Sequence, residues 1–97
     1  MDRNYVIVCN RHKGLLENCL LFWGAYTKDN QKRCFGGYTI NLNKCERYTL
    51  EEAKNRKLPI YGIDLNYYNY EDVQDFVISI DRLEELDCKS MLVYAKQ

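Results

Sequence analysis

An apolar run that breaks into a polar loop, returns through two glycines and ends on a helix cap admits few folds. Residues 20–53 of this chain make such a run: LLFWGAY, then TKDNQKRCFGG, then YTINLNKCERYTLEEA. Side chains alternate across a strand, so residues 19–26 place Cys19, Leu21, Trp23 and Ala25 on one face and Leu20 and Phe22 on the other. The polar excursion closes on Gly36-Gly37, which can supply the positive φ of a tight turn. Residues 38–42 predict a third strand with Tyr38, Ile40 and Leu42 inward. Thr49-Leu50-Glu51-Glu52 then spells a capping box, in which the Thr49 hydroxyl and the Glu52 carboxylate each satisfy the other residue's amide. A helix over 50–57 follows, stopped by Pro59.

The flanking segments extend this pattern. Residues 5–10 alternate with β-branched residues at both parities, Tyr5, Ile7 and Cys9 against Val6 and Val8, which predicts a strand covered on both faces. Arg11, His12, Lys13 and Gly14 read as a turn. A three-strand meander would put that turn at the same end as Lys44 and Arg47, with the Lys28 to Arg33 loop at the opposite end. Residues 60–65 predict a short strand, 66–70 (NYYNY) a tyrosine-rich loop, and 75–80 a strand with Phe76, Ile78 and Ile80 on one face. Asp81 as N-cap, with Glu84 at the third helical position, predicts one or two turns of helix. Residues 91–95 predict a last strand. The sum is an α+β fold, a single domain over 1–97, mainly an antiparallel sheet of five or six short strands with two short helices.

Composition narrows the class. The 97 residues are 46% hydrophobic and 29% charged, ordinary for a soluble globular domain. Five cysteines, an odd number without a CxxC, argue against both a disulfide scaffold and a structural zinc site. Cys9 and Cys19 fall within strands, and Cys34 is the expected exposed thiol. An acidic residue at position two leaves no secretory pattern, and the longest apolar run, 19–25, is too short to span a bilayer. The expected location is the cytoplasm. Net charge is zero but divided: residues 1–57 hold eleven Lys/Arg against six Asp/Glu, and residues 58–97 hold three against eight. Such a division steers partners or draws the two halves together.

No constellation of residues supplies a chemistry. Cys9 and His12 resemble a nucleophile and its base, but one belongs in a strand, the other lies beyond its end, and no third residue orients them. Glu51/Glu52, Glu71/Asp72 and Glu84/Glu85 each sit in an expected first turn, where carboxylates complement the helix dipole. Gly36-Gly37 lacks the spacing of a phosphate loop and precedes a strand. The expectation is therefore a protein that is not an enzyme and that needs no cofactor and no metal.

Two loops carry contact chemistry instead. Lys28, Lys32, Arg33 and Phe35 join cations to an aromatic ring, a composition that can grip phosphate and stack a base. The zero net charge argues against a nucleic-acid partner. Tyr67, Tyr68 and Tyr70, with Tyr61 nearby, cannot all reach one core from one loop, so the turn is expected to expose a contact surface. The candidate partner-binding residues are thus Lys28, Lys32, Arg33, Phe35, Tyr67, Tyr68 and Tyr70.

Leu20–Gly24, Gly37–Thr39, Tyr48-Thr49 and Glu51–Ala53 form a phrase, LLFWG, GYT, YTxEEA, that resembles small uncharacterised proteins of phages and prophages of Gram-positive bacteria. The match covers roughly a third of the chain, and the longer basic excursion over 27–36 departs from it. Every matched residue has a structural role, so the resemblance implies a scaffold and a setting and no catalytic residues. The setting implies a small cytoplasmic protein of the bacterial host cell that binds and inhibits or modulates a bacterial host protein, a defence effector in the anti-CRISPR manner. The alternatives are an oligomeric sponge for a nucleotide signal and a nucleic-acid-binding accessory protein.

Overall fold

In a computed structural model, which describes residues 3–10 and 20–88, the chain forms an α+β domain with a four-stranded antiparallel sheet and two helices. The strands are β1 (Tyr5–Cys9), β2 (Leu21–Trp23), β3 (Tyr38–Thr39) and β4 (Asp75–Ser79), in the order β3-β2-β1-β4. Helix α1 spans Leu50–Lys54 and α2 spans Ile80–Cys88. The meander β1-β2-β3 holds as expected, and β4 joins on the free side of β1.

β1 is central because its sequence can be buried on both faces. Val6 pairs with Ile78 and Val8 with Phe76 on one side, while Ile7 pairs with Val77 on the other. All six residues are fully buried, so cross-strand apolar pairs fix the register on both faces at once. On the first face these residues pack with Phe22, Leu42, Tyr61, Tyr70 and, from α2, Leu83 and Leu86. The second face carries Ile7, Val77, Tyr48, Ile60 and, from α1, Ala53. A layer of core thus lies on each side of the sheet.

Four strands stand where five or six were expected. Residues 60–65 do not form a strand: Pro59 accepts from the Val77 amide (2.9 Å) and Tyr61 donates to Val77 (2.8 Å), after which the chain curls back on itself. That brief contact covers part of the outer edge of β4. The expected strand over 91–95 lies outside the described residues. β3 is also shorter than expected, because the Thr39 hydroxyl accepts from the Asn41 amide and the Asn41 side chain from the Asn43 amide. Such local side-chain bonds compete with a ladder and end it. Tyr38 and Ile40 are therefore exposed rather than inward, and only Leu42 of that set is buried.

Both halves of the capping box form, with Thr49 Oγ1 accepting from the Glu52 amide at 3.2 Å and Glu52 Oε1 accepting from the Thr49 amide at 2.8 Å. For α2 the cap is Ser79, whose hydroxyl accepts from the Arg82 amide at 3.2 Å, and Asp81 lies inside the first turn. α1 ends three residues before the expected Lys57, which closes the turn in the left-handed region at φ 58°. That conformation costs an L-residue roughly 1–2 kcal/mol, and glycine avoids it at some entropic cost. Lys57→Gly should therefore raise stability by up to about 1 kcal/mol, read as a higher urea midpoint at unchanged slope; a lower midpoint would contradict this account.

Candidate functional site

The basic excursion is built around a buried carboxylate. Glu46 is fully buried, and its two oxygens accept from the amides of Thr27 (3.1 Å), Cys34 (2.8 Å) and Arg47 (3.0 Å), from the Thr27 hydroxyl, and from Arg3 Nη2 (2.5 Å). Arg3 reaches further, donating to the carbonyls of Arg47 (2.9 Å) and Thr27 (2.8 Å) and pairing with Asp29 at 2.8 Å. Burial opposes the charge on Glu46, but the hydrogen bonds from Thr27, Cys34 and Arg47 outweigh it and hold the carboxyl below its ordinary range. One carboxylate thus ties both ends of the excursion to the approach to α1.

Gly24 makes this closure possible. It adopts φ 77°, and a Cβ built there would overlap the Cys34 carbonyl oxygen and come within 2.9 Å of Glu46 Cβ. The geometry also corrects the expected split of the basic residues. The Lys44 carbonyl accepts from the Tyr26 amide at 3.0 Å, and Arg3 joins the Arg47 carbonyl to Thr27 and Asp29. The backbone at both positions therefore lies beside the start of the Lys28 to Arg33 loop instead of opposite it. Residues 11–13 lie outside the described residues, as does His12 of the Cys9–His12 pair.

Within the loop the four expected residues have different fates. Lys28 and Lys32 are exposed. Arg33 is not a free cation: its side chain is only 8% exposed, Nη2 donates to the carbonyls of Lys28, Asp29 and Gln31, and Nε lies 3.4 Å from Glu52 Oε2. It holds the loop's shape, so reversing its charge would disturb the loop itself. Phe35 is half-buried, stacked on Tyr48 at 4.9 Å between centroids, with the Arg56 guanidinium 4.4 Å from its ring centre. Its faces serve packing rather than an incoming base. Cys34 is partly exposed, its Sγ 3.3 Å from the Gly36 carbonyl. Cys9 and Cys45 are buried, and burial pushes the Cys45 thiol up to about 11, which keeps it protonated at neutral pH.

The tyrosine loop also divides. Tyr70 is 2% exposed and packs edge-on to Tyr61 and Phe76, so it belongs to the core and not to the expected contact surface. Tyr67 and Tyr68 face outward, Tyr68 being 89% exposed. Their turn is set by two asparagines: Asn69 Oδ1 accepts from the Asn66 amide (2.6 Å) and Asn66 Oδ1 from the Tyr68 amide (2.8 Å). The two rings lie 5.3 Å apart between centroids, and Tyr67 rests against Tyr70. Exposed Ile63 stands in the preceding turn.

The two loops do not form one surface. Phe35 packs on the second core layer and Tyr70 on the first, so the sheet separates them. Sequence reasoning missed Glu46, Arg3 and Arg56. The available signal for Glu46 was its position as the sole carboxylate between Asp29 and Glu51. Among the described residues no group of three or more His, Cys, Asp or Glu side chains is placed to hold a metal, and no helix is long and apolar enough to cross a membrane. Comparison with family models, with curated proteins and with solved structures found no match for the chain.

Proposed function

We propose that this chain is a small accessory protein of the phage or prophage type that binds a bacterial host protein and inhibits or modulates it by occupancy, without catalysis. A defence effector of the kind that anti-CRISPR proteins target is the partner class that fits its setting. The observation that carries this reading is the tyrosine turn: two large rings held outward on backbone fixed by Asn66 and Asn69. Tyrosine supplies broad contact area at low entropic cost, and a turn already ordered loses less freedom on binding. Lys28 and Lys32, exposed on a loop that Glu46 and Arg33 hold in shape, supply a second, basic contact.

The test is capture from a bacterial host lysate, with and without nuclease, using the wild type and the Tyr67→Ala/Tyr68→Ala variant. The expected result is one protein enriched after nuclease treatment and lost with the variant, whose fold should be intact because both rings are exposed. Truncating a central aromatic anchor typically costs about 2 kcal/mol or more of binding. Enrichment equal in both forms would remove the tyrosine turn from the interface. Enrichment abolished by nuclease would replace a protein partner with nucleic acid.

A further inference from the structure

We infer that the open groove between the excursion and α1 is an oxyanion site for a small molecule bearing a phosphate monoester in its dianionic form. The groove has a volume of about 420 Å³ and is lined by Lys32, Arg33, Phe35, Glu52, Asn55 and Arg56. Three cations face one carboxylate there. Glu52 is already committed, with Oε1 on the Thr49 amide and Oε2 3.4 Å from Arg33 Nε. Lys32 and Arg56 have no carboxylate partner among the described residues. The lining therefore carries a surplus of two positive charges.

Two features make this a shaped site rather than a charged surface. The Arg56 guanidinium carbon lies 4.4 Å from the Phe35 ring centre and 5.6 Å from that of Trp23, so two aromatic rings hold the cation in place. A ring takes no N–H hydrogen bond of the ordinary kind from the guanidinium, so its donors remain for two oxygens of an oxyanion. Beside it lies Arg33, more than nine-tenths buried, whose Nη1 has no hydrogen-bond partner among the described residues. A buried donor without an acceptor is uncommon, and a turn of the guanidinium toward the groove this side chain lines would let a ligand oxygen supply one.

The same geometry selects among anions. Phe35 is stacked on Tyr48 and covered by Arg56, so a nucleobase gains no aromatic platform from it, and recognition falls on the phosphoryl group. A phosphate monoester carries close to two negative charges at neutral pH, matching the surplus, whereas a phosphodiester carries one. The volume is within the range of small-molecule sites.

The test is an NMR titration of the whole chain at constant ionic strength, following backbone amides and the arginine Nε resonances, with phenyl phosphate in one series and dimethyl phosphate in another. Phenyl phosphate should shift the Arg33 and Arg56 resonances saturably. Arg56→Gln and Lys32→Gln, both at exposed positions, should each weaken that binding by roughly tenfold, as should replacing the monoester by the diester. The absence of saturable shifts at Arg33 and Arg56 would overturn the site. A diester that binds as tightly as the monoester would overturn the assignment to a dianion. The titration contains no partner protein, so its failure leaves the tyrosine-turn reading standing, and the loss of that reading leaves this one.

Discussion

Gly24→Ala should lower the stability of this domain by about 2–5 kcal/mol, combining the cost of a left-handed L-residue with that of overpacking. A thermal melt followed by circular dichroism should show the midpoint falling by on the order of 10–30 °C. The cause is local and double. The backbone at Gly24 has φ 77°, and the space a methyl would need is filled by the Cys34 carbonyl, with Glu46 Cβ close behind. Gly37→Ala separates the two contributions. Gly37 has φ 81° but nothing within 4 Å of a built Cβ, so it should incur the backbone cost alone. Equal losses at the two positions would mean that the packing around Gly24 is looser than described.

Glu46→Ala is the second large effect. Removing the carboxylate leaves three backbone amides and the Thr27 hydroxyl without their acceptor and takes from Arg3 its buried counter-charge, leaving it the exposed Asp29 and two carbonyls. Breaking a buried pair from one side costs roughly 3–5 kcal/mol. Since a domain of this size has only about 5–15 kcal/mol in total, the variant should approach the limit of folding. The same residue sets an acid dependence. The folded-state pKa of Glu46 lies below its unfolded value, so its contribution is complete above the unfolded value of about 4.3 and is lost as pH falls through the folded one. Denaturation midpoints of the wild type should drop across that window, and those of Glu46→Ala should drop less. Parallel curves would assign the acid sensitivity to other carboxylates.

How far the residues announce this structure depends on the range of the interaction. The capping box at Thr49 is legible because its two bonds span three residues, and both form. The two-faced β1 is legible because alternation over five residues states which side chains oppose which. β3 misled because Thr39, Asn41 and Asn43 bond locally and end a strand that the apolar spacing of Tyr38, Ile40 and Leu42 would have continued. The candidate surface was legible only as composition. Three cations and one aromatic in one loop gave no sign that Arg33 would turn inward onto three carbonyls, or that Phe35 would be covered by Arg56 from twenty-one residues away. Likewise nothing local to Tyr70 distinguishes it from Tyr68, yet one is core and the other solvent-facing. Arg3 and Glu46, separated by forty-three residues, meet only when the sheet has formed.

The sheet has one more consequence. Val6 and Ile7 are neighbours in the chain, yet they point into different core layers, one beneath the tyrosine turn and the other beneath the basic groove. Each exposed surface is therefore reached by substitutions that leave the opposite layer's packing unchanged. One side of such a domain can drift toward a new target while the other is held by selection, with the two-residue-wide alternation of β1 insulating one history from the other.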